Sequence, residues 1–314
     1  MGLKIVFMGT PDFAVKSLSA VAASSQHEIV AVVTAPDKPA GRGKQLRLSA
    51  VKQYALDHHL PLLQPKNLKQ ENFVAELKQL QADLFIVVAF RMLPKVVWKI
   101  PPKGTFNLHA SLLPNYRGAA PIHWAVIKNE KTTGVTTFFI DEKIDNGKII
   151  LQQSYALAKH ETAGSLHDQL AQLGSQLVIE TLTAIERGIT PRRQQLTGDE
   201  KKAPKLTREN TRINWDQPLD AIDAFVRGLS PYPTAWTEIC ADGKKIPFKI
   251  FALKVEPKKH AYPPYRLLVD KNQFLITHPE GYIHLLEGQL PNKRRMLAHD
   301  LRNGWRYSDH TRVK

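Results

Sequence analysis

The sequence has one cysteine, Cys240, among 314 residues, so no intrachain disulfide can form. A chain of this length can bury enough apolar surface to fold without covalent cross-links. Cysteine-poor chains are typical of reducing compartments, and we therefore predict a cytoplasmic protein. Cys240 itself is interpreted as a small buried apolar residue.

Long hydrophobic runs are also absent. No stretch approaches the roughly 18 apolar residues that a membrane span requires, so we expect no membrane partner. The first turn, MGTPDF at residues 8–13, lacks the Gly-x-Gly-x-x-Gly pattern of dinucleotide-binding proteins. Pro11 moreover has no backbone N–H to offer a pyrophosphate. These features argue against a dinucleotide-dependent oxidoreductase.

Metal-ligand spacings are missing as well. The twelve histidines show no paired spacing beside cysteine or acidic residues of the kind that holds zinc. We therefore predict no metal centre.

Positive charge is abundant. The formal net charge is +15, and residues 190–206 carry five basic against two acidic side chains. Such an excess predicts a polyanionic partner, either a nucleic acid or an anionic membrane surface. A basic surface that serves only solubility is the alternative.

The first half of the chain alternates short apolar runs with helical patterns. The predicted strands are Lys4–Met8, Ile29–Thr34, Asp83–Ala89, Gly104–His109 and Thr133–Asp141. The predicted helices are Phe13–Ala23, Ser49–His58, Asn72–Gln81 and Ser165–Arg187. This alternation predicts an α/β fold with a doubly wound, mostly parallel sheet.

The pattern changes near Gly188. Residues 190–206 are polar, charged and aperiodic, and we predict a linker there. A helix at Pro218–Leu229 is followed by short β-rich runs between turn residues, which indicate a small barrel or sandwich. The predicted organisation is a catalytic domain at 1–189, a linker at 190–206 and a C-terminal domain at 207–314.

Asn107 and His109 close the predicted strand Gly104–His109. Ligands of open α/β sheets bind just beyond the carboxyl ends of strands. Two residues apart on an extended backbone, the two side chains point the same way. An amide and an imidazole side by side can stabilise an oxyanion at a carbonyl carbon. Local turn hydrogen bonds are the alternative role for both.

Asp145 follows the next predicted strand, Thr133–Asp141. A carboxylate close to the histidine could orient the imidazole or relay a proton. Asp-Asn-Gly at residues 145–147 is also a common turn sequence, so a purely structural role stays open at this point.

The order of these residues resembles a known family. NLHASLLPNYRG at residues 107–118, followed by DNG at 145–147, is similar to the folate-dependent formyltransferases that use 10-formyltetrahydrofolate. FMGTPDF at residues 7–13 resembles the family's first strand and turn. The likeness covers essentially the whole chain and includes SPYPTAW at 230–236.

The resemblance implies a folate site. VAFRMLP at residues 88–94 is similar to the family's pterin-holding segment, although many relatives have Tyr-Gly in place of Phe90 and Arg91. The expected folate-binding residues are Phe90, Arg91, Met92, Leu93, Ser111, Leu112, Leu113 and Pro114. We interpret the Ser111 hydroxyl as structural, since the reaction needs no covalent enzyme intermediate.

A basic loop at residues 34–49 identifies the branch of the family. Its PAGRGK core at residues 39–44 resembles the inserted loop of the enzymes that formylate methionyl initiator tRNA, although Gln45 and residues 48–50 depart from many relatives. The resemblance also implies a monomer with a C-terminal, OB-like barrel that binds tRNA. The cations expected to contact tRNA are Lys38, Arg42, Lys44, Arg47, Arg192, Arg193, Lys201, Lys202, Lys244 and Lys245.

Other acceptors are conceivable with the same chemistry. An amino sugar, glycinamide ribonucleotide or water could replace the aminoacyl-tRNA, but small acceptors need neither the basic loop nor a basic barrel. A non-enzymatic RNA-binding protein would explain the charge but not the combination of Asn107, His109 and Asp145.

Overall fold

The computed structural model describes residues 2–40, 45–190, 193–195, 198, 200–269, 273–302 and 311–314. Two compact units make up the chain. Unit 1 comprises Met1–Gly118, Thr132–Ala156 and His167–Lys202, and unit 2 comprises Ala119–Lys131, Leu157–Leu166 and Ala203–Lys314. Two short segments, Ala119–Lys131 and Leu157–Leu166, thus belong to the unit that contains the C-terminal residues.

The elements follow one another along the chain with these bounds: β1 (Lys4–Gly9), α1 (Asp12–Ala23), β2 (Glu28–Val33), β3 (Lys38–Ala40), β4 (Gln45–Arg47), α2 (Ala50–Asp57), β5 (Leu62–Leu63), α3 (Glu71–Gln79), β6 (Leu84–Val88), α4 (Lys95–Trp98), β7 (Thr105–His109), β8 (Arg117–Gly118), α5 (Pro121–Ile127), β9 (Thr132–Phe139), β10 (Ile149–Ala156), α6 (Ala163–Glu186), β11 (Lys202–Ala203), α7 (Leu219–Leu229), β12 (Ala235–Ala241), β13 (Lys244–Pro257), β14 (Leu267–Val269), β15 (Phe274–His278), β16 (Gly281–Gln289), β17 (Met296–Leu297), α8 (Ala298–Arg302) and β18 (Arg312–Val313).

Unit 1 is built on a seven-stranded sheet in the order β10-β9-β7-β6-β1-β2-β5. Neighbouring strands from β7 to β5 run parallel. β9 runs antiparallel to β7, and β10 antiparallel to β9. The prediction of a mostly parallel α/β sheet is confirmed, and its antiparallel edge lies beside the strand that carries His109.

β6, the middle strand of the sheet, is apolar throughout, as expected where helices cover both faces of a parallel sheet. All five residues of β6 are buried, and Phe7 and Phe85 are fully buried. Burial of one such side chain contributes about 1.5–3 kcal/mol relative to exposure. This rigid centre fixes the carboxyl ends of β6 and β7, from which the candidate site is built.

Two strand features escaped the sequence-based expectations. β10 is an edge strand in which all residues after the first two alternate between half-buried and exposed. This alternation is a weaker sequence signal for a strand than the continuous apolar run of β6. Residues 34–49, expected to be a loop, contain the antiparallel pair β3–β4, in which Lys38 is the backbone partner of Arg47.

Unit 2 contains an antiparallel sheet in the order β14-β15-β16-β13-β12-β18. Its two outer strands meet: Leu267 N donates to Thr311 O at 2.9 Å, and Val313 N donates to Tyr265 O at 2.9 Å. The sheet therefore closes nearly into a barrel, which confirms the predicted small-barrel architecture. Closure removes sheet edges that would otherwise pair with other chains.

α7 contributes its apolar stripe to the barrel core. Leu219, Ile222 and Val226 are spaced at three and four residues, which puts them on one helix face. They belong to the same buried cluster as Phe248 and Ile283 of the barrel strands.

No helix in the described part of the chain is both long and apolar enough to cross a membrane.

Candidate active site

β7 carries the first two residues of the candidate site. In the sheet register, Asn107 pairs with Val87 of β6, and His109 pairs with Thr136 of β9. Strands on both sides therefore hold the backbone of β7. The alternation of a strand places both side chains on one face, with Asn107 half-buried and His109 only 7% exposed.

The imidazole of His109 has two different neighbours. Its Nε2 lies 2.9 Å from the carbonyl oxygen of Tyr116. Since a carbonyl can only accept, Nε2 must carry a hydrogen and donate. Nδ1 lies 3.9 Å from Oδ2 of Asp145, too far for a direct hydrogen bond. Nδ1 is therefore the ring nitrogen left to hydrogen-bond a reacting group.

Asp145 takes an unusual backbone conformation to reach this position. Its φ is +51°, in the left-handed region, which aspartate adopts more readily than most residues other than glycine. Its carboxylate is 16% exposed, and Oδ2 accepts a hydrogen bond from Gly118 N at 3.0 Å. The structure thus brings Asp145 beside His109, the last residue of β7, although β9 runs antiparallel to β7 and its own last residue pairs with Phe106.

The segment Tyr116–Gly118 positions both catalytic candidates. The carbonyl of Tyr116 holds His109, and the N–H of Gly118 holds the carboxylate of Asp145. Between them, Nε of Arg117 donates to the carbonyl oxygen of Asp145 at 3.1 Å. The Tyr-Arg-Gly end of the motif therefore sets the spacing of the two groups.

Thr136 fixes the loop between His109 and Tyr116. Its hydroxyl is fully buried, donates to Ser111 O at 2.6 Å and accepts from Leu113 N at 3.2 Å. Nε2 of Gln152 donates to the same hydroxyl at 3.0 Å. The Ser111 hydroxyl in turn donates to Asn115 O at 2.6 Å. This agrees with the structural role expected for Ser111.

Two residues of the predicted linker contact Arg117 or the loop of Asp145, and neither was predicted from the sequence. Gln195 is 4% exposed and contacts Arg117 as well as the carbonyl oxygens of Asp145 and Gly147. Glu200 pairs with Nη1 of Arg117 at 2.8 Å. Neither residue has a local signal, because a lone polar side chain in a polar segment carries no periodicity.

The candidate folate segment at residues 90–93 has mixed exposure. Leu93 is 8% exposed and belongs to a core cluster against which the partly buried Phe90 packs, whereas Met92 is 78% exposed. Arg91 donates to the carbonyls of Pro65 and Lys66, and its guanidinium lies 5.2 Å from the Phe90 ring centre. Burial lowers the pKa of Arg91. Folate contacts by these four residues stay a prediction.

The second candidate folate segment lies in the loop held by Thr136. Leu113 is 3% exposed and packs with Phe138 and Ile149, while Leu112 and Pro114 are half-buried. Leu113 therefore supports the loop from the core side. Their roles toward folate, like that of Ser111, stay a prediction.

The cations expected to contact tRNA fall into three groups. Arg42, Lys44 and Arg192 lie outside the described residues, and for Lys38 and Arg47 only the backbone pairing is described. The exposed, described cations are Arg193, Lys201 and Lys202 in unit 1 and Lys244 and Lys245 in unit 2.

Within the described ranges, no group of three or more His, Cys, Asp or Glu could hold a metal ion.

Family models match both parts of the chain. The model described as Formyl transferase covers residues 3–182, and the model described as Formyl transferase, C-terminal domain, covers residues 205–306.

Solved structures share the fold at low sequence identity. HypX from Aquifex aeolicus in complex with tetrahydrofolic acid aligns with a TM-score of 0.65 at 19% identity, over 96% of this chain and 47% of HypX. An N-formyltransferase from Helicobacter canadensis, in complex with folinic acid and dTDP-3-aminofucose, gives a TM-score of 0.65 at 21% identity, over 90% and 98% of the two chains.

Curated relatives are far more similar. The methionyl-tRNA formyltransferase of Flavobacterium johnsoniae is 52% identical over 312 residues, which cover 99% of each chain. That of Bacteroides fragilis is 47% identical over 318 residues, which cover 99% of this chain and 98% of the relative. With the matching family models, this similarity over nearly the full length shows that the chain belongs to the methionyl-tRNA formyltransferase family.

Proposed function

We propose that this protein transfers the formyl group of 10-formyltetrahydrofolate to the α-amino group of methionine carried by initiator tRNA. The observation that carries the proposal is the approach of Asp145 to His109, the last residue of β7. Formylation of methionyl-tRNA is the activity named for the relatives at 47–52% identity. A cytoplasmic location and a monomeric state are part of the proposal.

Folate as the formyl donor rests on chemistry and on fold relatives. HypX and the Helicobacter canadensis enzyme were solved with tetrahydrofolic acid and folinic acid. The carboxyl ends of β6 and β7 open beside residues 90–93 and the loop at 111–114, where a ligand of an α/β sheet binds. The exposed Met92 and half-buried Leu112 offer apolar contacts for a pterin ring.

The reaction is an acyl transfer between two nitrogens. The methionyl amine attacks the formyl carbon, and the carbonyl oxygen becomes an oxyanion in a tetrahedral intermediate. The Asn107 amide and the Nδ1–H of a protonated His109 donate to this oxygen, and one such donor accounts for about 10²–10³ in rate. The bond from carbon to the folate nitrogen then breaks.

Asp145 transfers the proton from the attacking amine to the leaving nitrogen. The amine must lose one proton as it forms its bond to carbon, and the departing folate nitrogen must gain one. The Asp145 carboxylate stabilises a charged imidazole beside it and accepts the amine's proton before it passes to the leaving nitrogen. Its distance of 3.9 Å from Nδ1 leaves both groups able to turn toward the reacting atoms, and such contacts commonly tighten in the complex.

Methionyl initiator tRNA is proposed as the acceptor because of the positive charge of the protein and the activity named for its relatives. Exposed cations occur in both units, at Lys201 and Lys202 and at Lys244 and Lys245. Phosphate contacts supply affinity for a nucleic acid and make it depend on salt. An aminoacyl ester also lowers the basicity of its α-amine, so the uncharged, nucleophilic form is available near neutral pH.

The test is an acceptor comparison. Purified protein is incubated with 10-formyltetrahydrofolate and, in separate reactions, methionyl initiator tRNA, methionyl elongator tRNA, free methionine and an amino-sugar nucleotide. We expect formyl product with initiator tRNA at a kcat/KM at least tenfold above every other acceptor. Folate turnover without formation of formyl-methionyl-tRNA would overturn the proposed acceptor. An absence of folate turnover would overturn the proposed reaction.

A further inference from the structure

Gln195 is a buried amide whose four hydrogen bonds converge on the loop of Asp145. Its Oε1 accepts from Nε and Nη2 of Arg117 at 3.0 and 2.6 Å. Its Nε2 donates to the carbonyl oxygens of Asp145 and Gly147 at 2.9 and 2.8 Å. Only one orientation of the amide fits this arrangement, because a flipped group would place N–H against the Arg117 donors and oxygen against two carbonyls.

Both chemical halves of the amide are needed. A carboxylate at this position could accept from Arg117 but could not donate to either carbonyl, and an aliphatic side chain could do neither. Arg117 donates to the carbonyl oxygen of Asp145 as well, so the peptide after Asp145 is held from two directions. The side chain of Gln195 is 4% exposed, and solvent competes little for these bonds.

The loop needs such support because its backbone is constrained. Asp145 has a φ of +51°, and left-handed conformations persist where surrounding contacts hold them. Gly147 lies so close to β9 that a Cβ there would fall 1.6 Å from the carbonyl oxygen of Phe139. Hydrogen bonds from Gln195 thus fix the carbonyls on either side of Asn146 and, with them, the direction of the Asp145 side chain.

We propose that Gln195 is a positioning residue for formyl transfer: by holding the carbonyls of Asp145 and Gly147 it keeps the Asp145 carboxylate beside His109. The proposal rests on the proposed function, in which Asp145 moves a proton. A carboxylate displaced by about 1 Å costs on the order of 10²-fold in rate. Substrate binding depends on other residues, so the defect falls on kcat and not on KM.

The test is a double-mutant cycle. The variants are Gln195→Leu, Asp145→Asn and the two combined, with kcat and both KM values measured for formylation of methionyl initiator tRNA. We expect Gln195→Leu to lower kcat by about 10- to 100-fold with both KM values within twofold. Because Gln195 acts through Asp145, the double variant should be no slower than Asp145→Asn alone, which is the non-additivity expected for residues that act as a unit.

Gln195→Glu separates the two halves of the amide. This variant keeps an acceptor for Arg117, but its second carboxylate oxygen would face the carbonyl oxygens of Asp145 and Gly147 and repel them. We therefore expect its kcat to fall at least as far as that of Gln195→Leu. A matched control for general destabilisation is Ile5→Val, which removes one buried methyl group at the amino end of β1. It should lower the melting temperature and leave kcat within twofold.

The outcomes separate this inference from the proposed function. If Asp145→Asn lowers kcat but Gln195→Leu or Gln195→Glu does not, the positioning role is overturned and the proposed function stands. Multiplicative losses in the double variant would also overturn it, since Gln195 would then act independently of Asp145. If Asp145→Asn itself retains full kcat, the proposed proton-transfer role of Asp145 is wrong, and the positioning role of Gln195 is then wrong as well.

Discussion

Nδ1 of His109 lies 3.9 Å from Oδ2 of Asp145, although the two residues belong to different strand–loop junctions of the sheet. His109 ends β7, and Asp145 lies in the loop between β9 and β10. The other ring nitrogen of His109 is engaged by Tyr116, and the carboxylate is held by Gly118. The pair is therefore held from one short segment, Tyr116–Gly118, as well as from the sheet.

The first prediction concerns the charge of Asp145. Asp145→Asn keeps an oxygen that can accept from Gly118 N and removes the negative charge beside His109. If Asp145 transfers the proton, kcat should fall by about 10²–10⁴-fold while the KM values for folate and tRNA change little. Steady-state formylation kinetics measure this.

Asp141→Asn is the matched control for that variant. Asp141 lies in the same loop, is exposed, and accepts a hydrogen bond from Lys143 N at 2.8 Å. Its kcat should stay within twofold. Equal turnover in Asp145→Asn and Asp141→Asn would contradict the role of Asp145.

The second prediction concerns the space at Gly147. An alanine Cβ at this position would lie 1.6 Å from the Phe139 carbonyl oxygen, so the loop must move away from β9. We expect Gly147→Ala to cost about 1–3 kcal/mol of stability, the usual cost of overpacking, and to lower kcat because Asp145 moves with the loop. Denaturant unfolding and formylation rates are the measurements.

Gly198→Ala is the control, since a Cβ at Gly198 would meet nothing within 4 Å. It should leave stability within about 0.5 kcal/mol of the parent, as surface substitutions usually do. A Gly147→Ala variant as stable and as active as Gly198→Ala would show that the loop tolerates the displacement.

The third prediction concerns Lys244 and Lys245, both exposed at the start of β13. If each contacts a phosphate, replacing both by alanine should raise the KM for tRNA and reduce the slope of log affinity against log salt by about 1.4–1.8. The folate KM should not change. Binding measured from about 50 to 200 mM salt gives the slope.

A charge-matched control for this pair is available on the other unit. Lys69 and Lys78 are exposed and lie near or within α3, outside the segments proposed to contact tRNA. Their double alanine variant loses the same charge and should keep the parent slope. Equal slopes for the two double variants would remove Lys244 and Lys245 from the proposed interface.

The fourth prediction concerns alkaline stability of unit 2. The Tyr265 hydroxyl donates to Asp216 at 2.6 Å, and this bond raises the pKa of Tyr265 from 10.0 to about 12. The folded state therefore retains a proton that the unfolded state loses. The stabilisation is complete below about pH 10 and disappears as the pH rises toward 12.

Tyr265→Phe should therefore be less stable than the parent at pH 8, and the difference should shrink between pH 10 and 12. Urea unfolding at pH 8, 10 and 11 measures it. Tyr232→Phe is the control, because Tyr232 is 79% exposed. A stability difference that is the same at all three pH values would contradict the role of the Tyr265 bond.

Much of the fold was predictable because its signals are local. The strands β1, β6 and β7 and the helices α1, α6 and α7 formed within a few residues of the expected bounds, since apolar runs and helical periodicity are read within one segment. Edge strand β10 was missed because its half-exposed alternation resembles a polar loop. The antiparallel direction of β9 was not predictable, because strand direction depends on how the preceding connection crosses the sheet.

The residues of the candidate site were likewise predictable only in part. Asn107 and His109 were predicted from their spacing at a strand end, and Asp145 from its place after the next predicted strand; the family motif then supported all three. Gln195 was missed, although it is among the most connected side chains of the site, since its partners Arg117 and Asp145 are 78 and 50 residues away in sequence. A polar residue in a polar segment gives no sign of burial until the residues that bury it are in place.

The sequence by itself determined the family, the α/β class, the barrel and the chemical types at the reacting centre, because motifs, periodicity and charge are properties of short segments. Only the tertiary structure decided which ring nitrogen of His109 is engaged by Tyr116, what holds Asp145 and that Gln195 takes part. The first depends on how the chain turns back between His109 and Tyr116. The other two depend on hydrogen bonds between residues 27 and 50 positions apart in the chain. Such bonds exist only after folding has removed water from the groups that form them.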